Sequence, residues 1–280
     1  MNTRRFKVVV TDFIADALEP ERKALGDIAE VTALDARHED ELAGHVEDAD
    51  ALMVYHNISV TRKTIERLAR CKLINRCGVG FDNVDWRFAR ERGIPVTHVP
   101  DYGTEDVADT ALAMMLALAR GTHFLNSRLR AGIGPWLYTQ AAPLRRLRGC
   151  VFGIVGMGRI GTATALRAKA FGMDVVFYDP YVPDGRDKSV GVRRALEFDD
   201  LLREAHVLSM HCPLTDETRG MINAAAIAKL PRGAYLVNTA RGAIVDTAAV
   251  ADAIASGQLG GAGLDVLPAE PPPDNDPLIT

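Results

Sequence analysis

Gly156-Met157-Gly158-Arg159-Ile160-Gly161 sets three glycines at the spacing GxGxxG, and Asp179 follows 18 residues after the last of them. Between a strand and a helix, such a run bares unpaired N–H groups at the helix start, where the dipole favours an anion. Gly156 permits the tight turn, Gly158 lets a pyrophosphate approach the backbone, and Gly161 lets helix and strand pack closely. Asp179, at the tip of the next strand, can accept hydrogen bonds from both ribose hydroxyls of an adenosine. A 2′-phosphate there would meet a like charge, so the pattern favours NAD over NADP. Arg241, in Thr239-Ala240-Arg241-Gly242, ends another strand, where a guanidinium suits a planar, bidentate grip on a carboxylate; a surface ion pair is the plainer use. Asp265 ends the last strand, within reach of a nicotinamide carboxamide, and Glu270 lies in a proline-fixed loop where it would otherwise be a solvated acid.

A second place for a small carboxylate is Gly78-Val79-Gly80, within RCGVGFDNVD. Two glycines around Val79 expose backbone N–H groups at the carboxyl end of a strand, where ligands of open α/β sheets bind. The alternative is a tight strand-to-helix turn with Asp82 or Asn83 as the helix cap, and the residues alone leave both open.

The elements that must hold these groups alternate. Strands are expected at Lys7–Val10, Ala29–Leu34, Ala51–Tyr55, Lys72–Cys77 and Ile94–Val99, with helices near Ala15–Leu25, Asp40–Ala49, Thr61–Ala69 and Val84–Arg92. Thr104, with Glu105 and Asp106 behind it, opens an apolar helix to about Arg120, expected to be buried under the cofactor sheet. Residues 121–150, with Pro135 and Trp136, read as an irregular or amphipathic arm suited to packing or dimer formation. The rhythm resumes with the strand Val151–Val155, a helix from Ile160 and the strand Asp174–Tyr178. A helix Leu196–Ala205, the strand Val207–His211, a helix near Ala224–Leu230, and the strands Ala234–Asn238 and Gly261–Val266 follow. Strands alternating with helices imply parallel sheets covered on both faces, an α/β fold.

Length and composition fit two domains of an ordinary soluble protein: 25% charged residues, 48% hydrophobic and a net charge of −4. Arg145-Arg146-Leu147-Arg148, the basic cluster, has no interleaved aromatics, so nucleic acid is not an expected partner. The apolar run Ala111–Ala119 is too short to span a bilayer and the N-terminus lacks a secretory pattern, so no membrane partner and a cytoplasmic location are expected. The four cysteines form no CxxC pair and no HExxH occurs, so neither a metal site nor a disulfide framework is expected.

RCGVGFDNVD, the glycine turn with Asp179, HCPLTDETRGMIN, LVNTARG and GLDVLPAEPP stand in an order and spacing that resembles the D-isomer-specific 2-hydroxyacid dehydrogenases, above all the branch of the C-terminal-binding-protein corepressors. The resemblance implies two Rossmann-like, doubly wound parallel-sheet domains, with an NAD-binding domain (101–280) inserted into a flavodoxin-like substrate domain (1–100 and a returning segment). It implies a small 2-oxo or 2-hydroxy acid in the cleft, its carboxylate on Gly78, Val79, Gly80 and Arg241. Gly156, Gly158, Arg159, Ile160, Gly161, Asp179, Cys212, Pro213, Thr218, Thr239 and Asp265 would line NAD, and Arg241 and Glu270 would be catalytic. The family's third catalytic group, a histidine in a Thr-Pro-His motif, is expected beyond Thr280, and none of the seven histidines takes its place. The sequence is accordingly expected to be part of a longer protein. Homodimerisation through the NAD domain is also implied. The alternative from another class is an NAD-sensing binding module like the corepressors.

Overall fold

The computed structural model describes residues 4–278, which fall into two compact units, Met1–Gly103 and Thr104–Thr280. Each is built on its own parallel sheet.

In the first unit β1 (Phe6–Val10), β2 (Ala29–Ala33), β3 (Ala51–Val54), β4 (Leu73–Arg76) and β5 (Val96–His98) pair in parallel in the order β2-β1-β3-β4-β5. Residues Val8, Val9 and Val10 of central β1 are all buried because both faces of the sheet are covered. Val9 joins Leu42, Leu52, Ile65 and Ile74 on one face, while Val8 and Val10 join Leu18 and Val31 on the other. The helix expected over Asp40–Ala49 is only a single 3₁₀ turn, Glu39–Leu42. Ala43 leaves the turn in an extended conformation, and Gly44 follows at φ 86° with its N–H taken by the Glu47 carboxylate at 2.9 Å. Thr61–Ala69 likewise shrinks to Arg62–Ile65.

The second unit holds β6 (Val151–Val155), β7 (Asp174–Tyr178), β8 (Arg193–Arg194), β9 (Val207–Met210), β10 (Ala234–Asn238) and β11 (Leu259–Leu264). Their order, β11-β10-β9-β6-β7-β8, is that of a doubly wound dinucleotide-binding sheet. β6, β9 and β10 are buried along their whole length. The apolar helix Thr104–Arg120 buries Ala108, Ala111, Leu112, Met115 and Ala119 against this sheet and the helix Arg159–Ala170. Its polar first turns pair with that same helix, Glu105 and Asp109 both meeting Arg167. β11 begins two residues earlier than its pattern suggested, because its glycines serve packing rather than propensity. A Cβ at Gly263 would lie 2.8 Å from Cβ of Met114.

The arm 121–150 carries the α-helix Thr122–Arg130 and a 3₁₀ turn, Tyr138–Ala141, and exposes Leu129, Ile133, Trp136, Leu137 and Tyr138. Among the described residues no helix is long and apolar enough to cross a membrane.

Candidate functional site

In the second unit chain direction across the sheet reverses between β6 and β9, and the glycine turn lies at the carboxyl end of β6. Each glycine meets a different constraint. Gly156 has φ 94°, and a Cβ there would lie 2.7 Å from the Cys212 nitrogen just past β9. Gly161 faces the Gly156 carbonyl oxygen, 2.1 Å from where its Cβ would be. At Gly158 nothing of the protein lies within 4 Å of that position. Two glycines are therefore required by the fold, and the third opens a space against the backbone of a helix N-terminus.

Asp179 follows β7 and turns its carboxylate onto this loop. Oδ2 accepts the Met157 N–H at 2.7 Å and Oδ1 accepts that of Tyr181 at 2.9 Å. Its charge is felt across the switch point: the Cys212 thiol is pushed up to about 11, first by burial and further by Asp179. Beyond Cys212, the turn from Pro213 is closed by Thr218, whose hydroxyl donates to the Pro213 carbonyl at 2.7 Å and accepts the Thr215 N–H at 2.8 Å. His211, partly buried, has its Nε2 2.9 Å from the Ser209 hydroxyl, and desolvation alone lowers its pKa to about 4. Neither His211 Nδ1 nor the hydroxyl of buried Thr239 has a hydrogen-bond partner in the fold. Arg159 and Ile160 open the helix that the glycine turn begins.

Arg241 is shaped by a neighbour that the sequence reading passed over. Buried Asn238, the last residue of β10, donates to the Arg241 carbonyl at 2.9 Å and accepts the Ala240 N–H at 3.0 Å. That side chain folds the TARG turn, and a polar residue ending an otherwise apolar strand was its signal. Gly242 follows with its would-be Cβ 2.0 Å from the Leu267 carbonyl carbon, which draws the segment after β11 against the same turn. Asp265 and Glu270 are exposed on that segment; Asp265 donates its N–H to the Asn238 carbonyl at 3.0 Å, and Glu270 accepts the Leu267 N–H at 2.9 Å.

In the first unit the Gly78-Val79-Gly80 turn leaves β4. The Gly78 carbonyl accepts the Val99 N–H at 3.1 Å, and His98 Nδ1 lies 2.8 Å from the Val79 carbonyl. Both oxygens are engaged by the end of β5, and the Gly78 N–H bonds the Arg76 carbonyl at 2.9 Å, so of the three expected donors the turn presents the N–H groups of Val79 and Gly80. Arg76, only 7% exposed, lays its guanidinium across Gly78, 1.4 Å from where a Cβ would be. Neither Asn83 nor Asp82 caps the next helix, since Asp85 takes that place, accepting the Phe88 N–H at 3.1 Å. Asn83 instead donates to the carbonyls of Tyr55 and Ile58, both at 2.8 Å.

Residues 112–280 match the family model described as D-isomer specific 2-hydroxyacid dehydrogenase, NAD binding domain. The chain belongs to this dehydrogenase family. It is 39% identical over 251 residues to C-terminal-binding protein 1 of Caenorhabditis elegans, a match spanning 88% of this chain and 34% of that protein. It is 38% identical over 275 residues to D-3-phosphoglycerate dehydrogenase of Methanocaldococcus jannaschii, spanning 98% of this chain and 51% of that one. The chain thus spans about half the length, or less, of these curated relatives. Among solved structures, D-lactate dehydrogenase of Aquifex aeolicus, complexed with NAD and lactic acid, superposes with a TM-score of 0.85 at 31% identity, covering 94% of this chain and 78% of that one. Both parallel sheets are those of this family of NAD-dependent dehydrogenases.

NAD is the cofactor of the matched domain, and the residues present suit it. The space at Gly158, the acid over the glycine turn and the unpartnered Thr239 hydroxyl all lie at the carboxyl rim of one sheet, where such a dinucleotide binds.

Proposed function

We propose that the protein interconverts a small 2-oxo acid and its D-2-hydroxy acid, with NAD bound by the second unit and the acid received by the first. The carrying observation is Arg241: a guanidinium on a turn fixed by buried Asn238, at the same sheet rim as the glycine turn and Asp179. NADH, when bound, supplies the hydride.

In this reading Gly156, Gly158, Arg159, Ile160 and Gly161 hold the pyrophosphate, and Asp179 takes the ribose hydroxyls. Cys212, Pro213, Thr218, Thr239 and Asp265 line the rest of the dinucleotide. Arg241 grips the substrate carboxylate and polarises the oxygen on C2, where negative charge develops during reduction. The N–H groups of Val79 and Gly80, after Gly78, share the carboxylate, supported by the cation of Arg76 beneath the turn. Glu270 serves the proton-transfer side of the reaction. The test is NADH oxidation by the full-length protein with glyoxylate, hydroxypyruvate, pyruvate and bulkier 2-oxo acids. Turnover of at least one is expected, and none across the panel would overturn the reading.

The identity to C-terminal-binding protein 1 supports a second reading, an NAD-sensing binding module. It predicts a protein partner captured with NAD and not without it. The exposed apolar side chains of the arm, with Trp136 at 80% exposure, support a homodimer formed through the second unit. Light scattering on the wild type and on Trp136→Ser tests that, the variant shifting toward the monomer mass.

A further inference from the structure

The N–H groups of Val79 and Gly80 bond nothing among the described residues, yet each belongs to a peptide plane whose carbonyl, on the opposite edge, is already engaged. The plane that carries the Val79 N–H ends in the Gly78 carbonyl, which accepts the backbone N–H of Val99 at 3.1 Å. The plane that carries the Gly80 N–H ends in the Val79 carbonyl, and this one meets a side chain, His98 Nδ1 at 2.8 Å. A carbonyl can only accept, so Nδ1 carries a proton in either charge state of the ring. One imidazole thus does for the second donor what the backbone past β5 does for the first.

The ring is held for this contact. His98 ends β5 and lies in parallel register beside Arg76, the end of β4, so both side chains leave the sheet on one face. Arg76 lays its guanidinium across Gly78 and His98 reaches Val79, bracing successive residues of the turn. Phe81, next after Gly80, tilts its ring against the imidazole at 5.1 Å and meets the Trp86 ring on edge at 6.4 Å. The turn therefore wraps His98, with the Val79 carbonyl on its Nδ1 and the Phe81 ring beside it. His98 is itself exposed, so the contact adds little to the core of the unit. What it governs is the turn.

A hydrogen bond onto a carbonyl pins its peptide plane and draws electron density from the amide, which makes the N–H on the far edge a better donor; bonds in a chain strengthen one another. We propose that His98 is a positioning residue for the substrate carboxylate, acting through the Val79 carbonyl to aim and polarise the Gly80 N–H. The inference rests on the dehydrogenase reading, in which this turn shares the carboxylate with Arg241, and adds a residue that works through the backbone rather than on the acid. The carboxylate is held alike before, during and after hydride transfer. Loss of the His98 N–H should therefore weaken binding of the acid and spare the chemical step, a rise in KM at constant kcat.

Variants of the full-length protein separate the N–H from the ring. His98→Asn keeps an N–H donor and loses the ring, His98→Phe keeps a ring against Phe81 and loses the donor, and His98→Leu loses both. With NADH and the 2-oxo acid that the wild type reduces best, KM should rise about tenfold in His98→Phe and His98→Leu, the weight of roughly one hydrogen bond, with kcat within about twofold. In His98→Asn the KM should stay within about threefold of the wild type. A normal KM in His98→Phe beside a raised one in His98→Asn means that the ring acts by packing, and a loss carried by kcat places His98 in the chemistry; either overturns the proposal. Calorimetric titration of the NADH-loaded proteins with oxamate, a carboxylate that resembles a 2-oxo acid, makes the test independent of turnover. If no acid is reduced but oxamate binds, and binds His98→Phe about tenfold more weakly than His98→Asn, the role of His98 stands and the dehydrogenase reading falls. If oxamate binds all the proteins alike or none of them, the role of His98 falls, and turnover by the wild type would leave the dehydrogenase reading in place.

Discussion

The two sheets offer the same topological opportunity and furnish it with opposite materials. At the β6/β9 switch point of the second unit the surface is mostly backbone: a glycine turn, a space at Gly158 and one acid, Asp179, bonded to Met157 N–H. At the β1/β3 switch point of the first unit it is side chains: Phe13, Tyr55 and His56, on a loop tied down by Asp12 and Asn83. A ligand of fixed shape such as a pyrophosphate can be met by N–H groups, which demand glycine at set positions. A surface made of side chains is set by contacts distant in sequence, and these leave no fixed pattern.

The largest expected effect probes the chemistry on the backbone-built rim. Arg241→Ala should lower kcat/KM for the preferred 2-oxo acid about 10³-fold, the scale of removing a donor aimed at developing negative charge. NADH affinity, read by fluorescence titration, should stay close to wild type. If affinity for NADH collapses as well, Arg241 belongs to the cofactor rather than to the acid, and the division between the two rims is wrong.

His211 gives the backbone-built rim a pH signature. It is held neutral, with a pKa near 4 against an ordinary 6.5. Between those values the unfolded chain holds a proton that the folded one refuses, so stability is fully present above pH 6.5 and is lost as pH falls toward 4. The contribution is roughly 3 kcal/mol. Denaturant titrations of the wild type and His211→Gln at a series of pH values should show the variant losing less stability across that window. Parallel curves would mean that His211 is hydrated in the folded protein.

The same contrast explains what could be read from the residues alone. The alternation of strands and helices and the glycine turn with Asp179 were legible because periodicity and glycine spacing are local statements. Arg241 stood out as a charged residue ending an apolar strand. Asn238, which folds its turn, was passed over because its one signal, a polar residue ending an apolar strand, does not say which amide it faces. Asp12 and Phe13 were hidden for a similar reason: their roles depend on a loop 43 positions further along the chain. Asn83 was weighed as a helix cap, and local spacing could not distinguish that from a clamp on Tyr55 and Ile58. The helix expected over Asp40–Ala49 stops where Ala43 turns extended and Gly44 takes φ 86°, a case of backbone conformation overriding periodicity.

The ring-lined rim can be loosened without touching a ring. Asp12→Asn keeps the size of the side chain but replaces one acceptor oxygen by an NH₂ group, which would face an N–H of Tyr55 or Asn57 and leave a buried donor unpaired. The cost is about 2 kcal/mol of stability, measurable as a lower denaturant midpoint. The packing of Phe13 on Tyr55 should loosen with it, read in the near-ultraviolet circular dichroism, because the loop that sets the rings is no longer fixed. Loss of stability with the aromatic signal intact would make Asp12 a buried strut with no bearing on the rings.

The smallest effect is the sharpest test of the backbone-built rim, because it separates glycines needed by the fold from the glycine needed by the ligand. Gly161→Ala drives a methyl to 2.1 Å from the Gly156 carbonyl, which backbone cannot yield without moving, so the folded state should lose about 2 kcal/mol. Gly158→Ala meets no protein atom within 4 Å and sits at φ −73°, open to any residue. Its unfolding midpoint should match the wild type within about 0.5 kcal/mol. Its methyl would stand in the space proposed for the pyrophosphate, so NADH affinity should fall about tenfold, the weight of roughly one lost charge-assisted hydrogen bond. A Gly158→Ala protein that binds NADH as tightly as wild type would show that the dinucleotide does not approach the backbone there, and the two rims would then both depend on side chains.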